Sequence, residues 1–179
     1  MIKTTRILIP KSVYIGIDES NHGKFPEVYV SVLSTNPEGI IPKRLQKIRS
    51  RVRLEKIIKE LEDFKYTIVE RNNSDYFEKN GVRAQAISTL LLNFEIIPSR
   101  TFVYIDGEDI KGVAQDILTI YNSKSRLNFE RDHLIFAVGG DTIFPVVNDA
   151  DRLAYKIFTE VQRNRNYHIK EREVKILLC

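Results

Sequence analysis

The feature that most constrains this chain is a set of short runs of β-branched and aromatic residues, too brief for helices, of which two close on an acid. Val13 to Asp18 (VYIGID) and Val28 to Leu33 (VYVSVL) have the length and composition of strands. The turn-forming Ser20-Asn21-His22-Gly23 lies between them and predicts an antiparallel pair. Phe102 to Asp106 (FVYID) and His133 to Val138 (HLIFAV) are each followed by glycine and then by a helical pattern, which predicts two buried strands with following helices. Those helices are expected over Ile110 to Tyr121 and over about Val146 to Arg163. Earlier, Leu45, Ile48, Val52, Ile57, Leu61 and Phe64 recur mostly at three- and four-residue steps, the signature of an amphipathic helix. Tyr66 to Val69 reads as a short strand. Val82 to Phe94 reads as a helix with Ala86, Leu90 and Phe94 on one side, closed by Pro98. Val174 to Leu178 is either a last strand or a docked tail. A hairpin followed by alternating strands and helices predicts an α/β fold: a mixed β-sheet, antiparallel at its opening and parallel later, flanked by helices.

A length of 179 residues with 42% hydrophobic content supports one core, so a single domain over residues 1–179 is expected. Eight Gly, six Pro and one cysteine, Cys179, exclude a collagen-like chain, a low-complexity chain and a disulfide-stapled scaffold. No apolar run reaches the ~20 residues of a membrane span, and the start lacks a signal-peptide pattern, so a soluble, cytoplasmic protein without a membrane partner is expected. The formal charge of +4 says little, but its distribution says more. Lys43, Arg44, Lys47, Arg49, Arg51, Arg53 and Lys56 face a single acid, Glu55, and a second basic stretch runs from Arg163 to Arg172. Each is either a solvated helix face or a surface for a polyanion.

Asp18 and Glu19 end the first strand and Asp106 ends a later one. In open α/β sheets ligands collect beyond the carboxyl ends of the strands, where the strand order reverses. If the two strands are parallel neighbours, ~4.8 Å apart, their terminal carboxylates face one space. Carboxylates so placed repel one another unless a cation lies between them. Oxygen donors without His or Cys select Mg²⁺ or Mn²⁺ over zinc, and two such ions assemble a site for in-line phosphodiester cleavage. The bland alternative for any one acid is a turn former or cap, the role expected of Asp109 before the helix near Ile110.

Gly16-Ile17-Asp18-Glu19-Ser20-Asn21-His22-Gly23 is similar to the Gly-x-Asp-Glu-x-Gly-x-Gly opening of the type 2 ribonucleases H. The similarity continues in order through Pro42-Lys43-Arg44 before a helix, the strand at Tyr66, the helix after Val82, and Tyr104-Ile105-Asp106-Gly107. Gly140-Asp141-Thr142-Ile143-Phe144-Pro145-Val146-Val147 resembles that family's segment of a catalytic Asp, a spacer and Pro-Val-Val. The resemblance implies a ribonuclease-H-like fold with Asp18, Glu19, Asp106 and Asp141 as its four carboxylates. A second resemblance is to uncharacterised ribonuclease-H-like proteins with an Asp-Glu-Ser-Gly opening and an Ala-Asp-x-x-Ala-Tyr closing helix, matched here by Asp18-Glu19-Ser20 and Ala150-Asp151-Arg152-Leu153-Ala154-Tyr155. It implies Asp151 as the last ligand instead of Asp141. Val147, Ala150, Ala154 and Phe158 share the side of the helix that carries Asp151, whereas Asp149 falls on the far side and is expected to be solvated.

Where type 2 ribonucleases H carry Gly-Arg-Gly, this chain has Asn21-His22-Gly23, so the resemblance implies a changed ribonucleotide reader beside kept acids. His22 is either a proton shuttle and phosphate contact or a plain turn residue. His133, His168 and Cys179 have no zinc spacing. The sequence contains no Walker loop, Gly-x-Gly-x-x-Gly or nucleophile-elbow serine, so no nucleotide or organic cofactor is expected. The resulting expectation is a metal-dependent nuclease using two Mg²⁺ or Mn²⁺ ions on Asp18, Glu19, Asp106 and Asp151 or Asp141. Lys43, Arg44, Lys47, Arg51, Asn21 and His22 would contact the nucleic acid. The alternative is a non-catalytic nucleic-acid-binding or protein-interaction module on the same fold.

Overall fold

A computed structural model describes residues 12–20, 24–36, 53–70 and 79–176. The β-branched runs form a sheet of five strands: β1 (Val13–Ser20), β2 (Glu27–Ser34), β3 (Asp63–Val69), β4 (Thr101–Asp106) and β5 (Leu134–Ala137). Their order is β3-β2-β1-β4-β5. β2 pairs antiparallel with β1 and β3, and β4 runs parallel to β1 and β5. The expected mixed sheet is therefore present, and β1 lies at its centre where the direction of strand succession reverses. The register aligns Ile17 with Ile105, which carried one residue further sets Asp18 beside Asp106.

Four described α-helices cover the sheet: α1 (Leu54–Glu60), α2 (Lys79–Leu92), α3 (Val113–Lys124) and α4 (Pro145–Arg163). Strand alternation sorts the residues between two faces. Ile15, Ile17, Tyr29, Val103 and Ile105 pack with α2 and α3 residues such as Ile87, Leu90 and Ile117. Val28, Val30 and Val32 pack on the other face with Leu54 and Ile57 of α1 and with Ala150, Leu153 and Ile157 of α4. Further along the α4 face, Tyr14 stacks on Phe102 and Tyr104 at ring separations of 6.0 and 6.4 Å. His133 joins this row by stacking on Phe102, with Nδ1 2.8 Å from the carbonyl of Pro98, a structural role.

Several boundaries differ from those expected. The helix read as far as Phe64 ends at Glu60, because Phe64 and Tyr66 alternate into the core of β3 and pairing with β2 overrides helical spacing. The third helix begins with a 3₁₀ turn, Ile110–Gly112, and turns α-helical only after Gly112 at φ +80°. The N-cap of the α-helical part is Gly112 and not Asp109, whose carboxylate instead accepts from the Ala114 amide in the first turn at 2.8 Å. Near the C-terminus, the Val174 amide donates to the Tyr66 carbonyl at 2.8 Å and Glu173 makes one parallel bridge to Tyr66. The described part of this segment docks on β3 through that single bridge, and residues 177–179, including Cys179, lie outside the described residues.

Gly16 lets α4 reach the sheet. A Cβ at this position would overlap the backbone carbonyl of Val146, so only a residue without a side chain admits the helix there. Gly16→Ala is expected to destabilise the fold by roughly 3 kcal/mol, since backbone rather than a flexible side chain must give way. Urea unfolding would check this, with a fall in midpoint at unchanged slope as the expected outcome.

Candidate functional site

The end of β1 delivers two acids to opposite sides of the sheet. Asp18 shares the face of Gly16 and of its partner Val30, the α4 side, and is only 4% exposed. Glu19 shares the face of Ile17 and Tyr29, the α2 side. Asp106 follows the parity of Tyr104, whose ring lies 4.3 Å from that of Phe144 at the entrance to α4, so Asp106 is on the face of Asp18. Asp151 approaches from α4, among Val147, Ala150 and Ala154, which are buried.

Burial pushes the Asp18 carboxyl up to about 8, reinforced by the charges of Asp151, Glu19 and Asp106 in that order; a hydrogen bond from the Glu19 amide, 2.7 Å, works in the opposite direction. No cation of the described residues is among these influences. Asp106 Oδ1 is buried and accepts no hydrogen bond from any described residue. Gly140 sits over it, where a Cβ would come within 3.3 Å of Oδ1. Asp141 lies in the 3₁₀ turn Gly140–Thr142, its carbonyl accepting from Asn148 Nδ2 at 3.0 Å.

Arg83 of α2, which the sequence did not single out, stands on the opposite face. Its Nη2 lies 3.6 Å from Glu19 Oε2, with both side chains 13% exposed, and it donates to the carbonyl of Asp106. A charged residue in a helix reads as a surface group, and no spacing motif marks this one. Asp149, expected to be solvated, is half-buried, its side chain 34% exposed beside Arg152. Burial raises its pKa, while an ion pair to the buried Arg152 at 3.2 Å opposes the rise. The basic tail is partly committed within the fold: Arg163 pairs with Glu160 and Arg172 with Asp63. Lys43, Arg44, Lys47, Arg51, Asn21 and His22 lie outside the described residues.

The donor set is carboxylate throughout, which suits a hard divalent cation. The acceptor at Asp106 without a hydrogen bond and the mutual repulsion around Asp18 are both relieved by one. Among the described residues, however, no three His, Cys, Asp or Glu side chains converge as a ready-made cation site, in keeping with Glu19 lying on the face of Arg83. The group fits a cation in chemistry and requires adjustment of its side chains to grip one.

The pH dependence follows from the raised carboxyl. Native Asp18 keeps its proton to about pH 8, whereas the unfolded chain releases it near 3.8, so the native state binds more protons in between. Stability is then lost progressively as pH rises through that window. Asp18→Asn removes this penalty. The metal-free variant is expected to gain roughly 2 kcal/mol or more on the wild type between pH 4 and pH 8, about 4–8 °C in Tm. Melting curves across this range would check it, with a pH-independent difference as the contrary result.

No protein-family profile matches the chain, and no curated protein sequence does. Solved structures do. Ribonuclease H2 from Pyrococcus horikoshii OT3 matches with a TM-score of 0.57 at 19% identity, over 89% of this chain and 82% of that one. RNase HII from Archaeoglobus fulgidus, in a complex with PCNA, matches with a TM-score of 0.57 at 16% identity, over 84% and 74%. Bst-RNase HIII in complex with Mn²⁺ matches with a TM-score of 0.58 at 14% identity, over 86% of this chain and 54% of that one. With its mixed sheet and flanking helices, the chain has the ribonuclease-H-like α/β fold and resembles the type 2 ribonucleases H in structure.

Proposed function

We propose that the chain is a divalent-cation-dependent nuclease that hydrolyses phosphodiester bonds of RNA, DNA or RNA-DNA hybrid. The observation that carries this reading is Asp18, buried with the charges of Asp151, Glu19 and Asp106 about it and no compensating cation among the described residues that act on it. The fold shared with RNase HII and HIII structures supports it, as does the Mn²⁺ in one of them. Asp18, Asp106 and Asp151 would hold the ions, Mg²⁺ or Mn²⁺ and two in number, with Glu19 completing the set. Asp151 is chosen over Asp141 because its charge is the one that acts most strongly on Asp18.

When bound, the ions supply an activated water and stabilise charge on the leaving oxygen. The chain itself supplies geometry. β1 and β4 present Asp18 and Asp106 side by side, and α4 carries Asp151 to them. Gly140 keeps the space beside Asp106 clear. Lys43, Arg44, Lys47 and Arg51, with Asn21 and His22, would grip backbone phosphates, a reading that rests on the sequence alone.

A specific observation favours a second reading, a non-catalytic nucleic-acid-binding or interaction module: Glu19 is ion-paired to Arg83, and no three acids converge among the described residues. The two readings separate in one set of measurements. The nuclease reading expects Mn²⁺-dependent cleavage of at least one of the three substrates, reduced more than about 100-fold by Asp18→Asn or Asp106→Asn. It also expects millimolar Mn²⁺ to raise the Tm of the wild type and not that of Asp18→Asn. Absence of cleavage, with a Tm unmoved by Mn²⁺ and salt-sensitive binding of nucleic acid, would instead establish the module.

A further inference from the structure

The backbone ladder between β1 and β4 stops at Ile17 and Ile105, one residue short of Asp18 and Asp106. Past it β1 stays paired with β2 and β4 with β5, and among the described residues no further register pair joins β1 to β4. Arg83 spans this gap. Its guanidinium donates to the carbonyls of Asp106 and Glu108, the latter at 3.3 Å, and reaches Glu19 Oε2 at 3.6 Å. It lies over the Phe136 ring of β5, 6.0 Å from the centroid. One planar group therefore ties the end of β1 to the end of β4 and rests on β5.

Two further observations argue against an incidental pair. Gly107 has φ +89°, and a Cβ there would stand 3.2 Å from Arg83 Nη2, so the turn after Asp106 leaves the guanidinium its place. Arg83 Nε is buried and donates to no described residue, a cost the other contacts of the same group must offset. Lysine cannot reproduce this arrangement, because a single ammonium lacks the planar fork that serves two carbonyls and a carboxylate together.

We propose that Arg83 is a positioning residue: by fixing Glu19 to the Asp106 end of β4, it sets the cation affinity of the acids at the head of the sheet. The inference rests on the cation-binding reading above and concerns a residue with no direct place among the ligands.

The test measures Mn²⁺ affinity of the full chain by the loss of the free-ion electron paramagnetic resonance signal, for wild type, Asp18→Asn, Arg83→Lys and Arg83→Ala. Arg83→Ala is expected to bind Mn²⁺ about 10-fold more weakly. Millimolar guanidinium should restore part of this loss, while NaCl at equal concentration should not. Arg83→Lys should fall between wild type and Arg83→Ala. A folded Arg83→Ala that binds Mn²⁺ like the wild type overturns the proposal, as does weakened binding that guanidinium leaves unchanged, the mark of a merely structural loss. Should Arg83→Ala fail to fold, Arg83→Lys decides: weakened affinity at a retained Tm supports the positioning role, and unchanged affinity overturns it. If wild type and Asp18→Asn bind Mn²⁺ alike, the cation reading itself fails and takes this inference with it. Loss in Asp18→Asn with none in the Arg83 variants removes the inference alone.

Discussion

The contact of α4 with β1 at Gly16 organises the rest of the molecule. A helix normally rides above a sheet on a layer of side chains; here the backbone carbonyl of Val146 occupies the space that a Cβ would fill. Two residues along β1, at ~3.3 Å each, lead from Gly16 to Asp18. Five residues along the helix, at ~1.5 Å each, lead from Val146 to Asp151, a similar distance. One glycine thus brings two acids from distant parts of the chain to the same level, and Asp151 becomes the strongest charged influence on Asp18. The Pro145 start of the helix and its buried stripe of Ala150, Leu153, Ala154 and Ile157 keep that level fixed against β2.

This arrangement sets stability against charge. A buried carboxyl surrounded by carboxylates is an unfavourable neighbour for a core, and the fold tolerates it with the Asp18 proton retained to about pH 8. On the other face, where strand alternation places Glu19, its carboxylate meets the Arg83 guanidinium at 3.6 Å. The site is therefore asymmetric: Asp18, Asp106 and Asp151 lie on the α4 side without converging on one point, and Glu19 lies toward α2. Local conflict of this kind, in a fold otherwise consistent from strand pattern to core, is where function is expected to reside.

Several charges elsewhere in the fold are paired within it. Arg152 and Asp149 compensate one another on α4, and Glu27 accepts from Tyr29 at 2.9 Å in the layer behind Glu19. Arg172 is paired with Asp63 and lies over the Phe64 ring at 5.1 Å. Basic residues that look alike in sequence thus serve different ends. Some in the C-terminal stretch secure the docked tail to β3, which leaves fewer of them available to a polyanion than a count suggests.

The sequence by itself determined the strands, because β-branched runs of five or six residues bounded by turn formers have few alternatives to a sheet. It determined the antiparallel opening, the long closing helix and the placement of Asp18, Glu19 and Asp106 at strand ends, since these follow from local periodicity. The tertiary structure decided what periodicity cannot encode. Phe64 fits a helical stripe in sequence, yet it lies in β3 because pairing with β2 outweighs local spacing. Asp141 and Asp151 each match a motif, and only the approach of α4 to β1 makes Asp151 the acid that acts most strongly on Asp18. Arg83 was invisible, since a single arginine in a helix carries no pattern until packing sets α2 against the ends of β1 and β4. Local sequence fixes which residues line a face, but the meeting of groups more than a hundred residues apart depends on packing between whole elements.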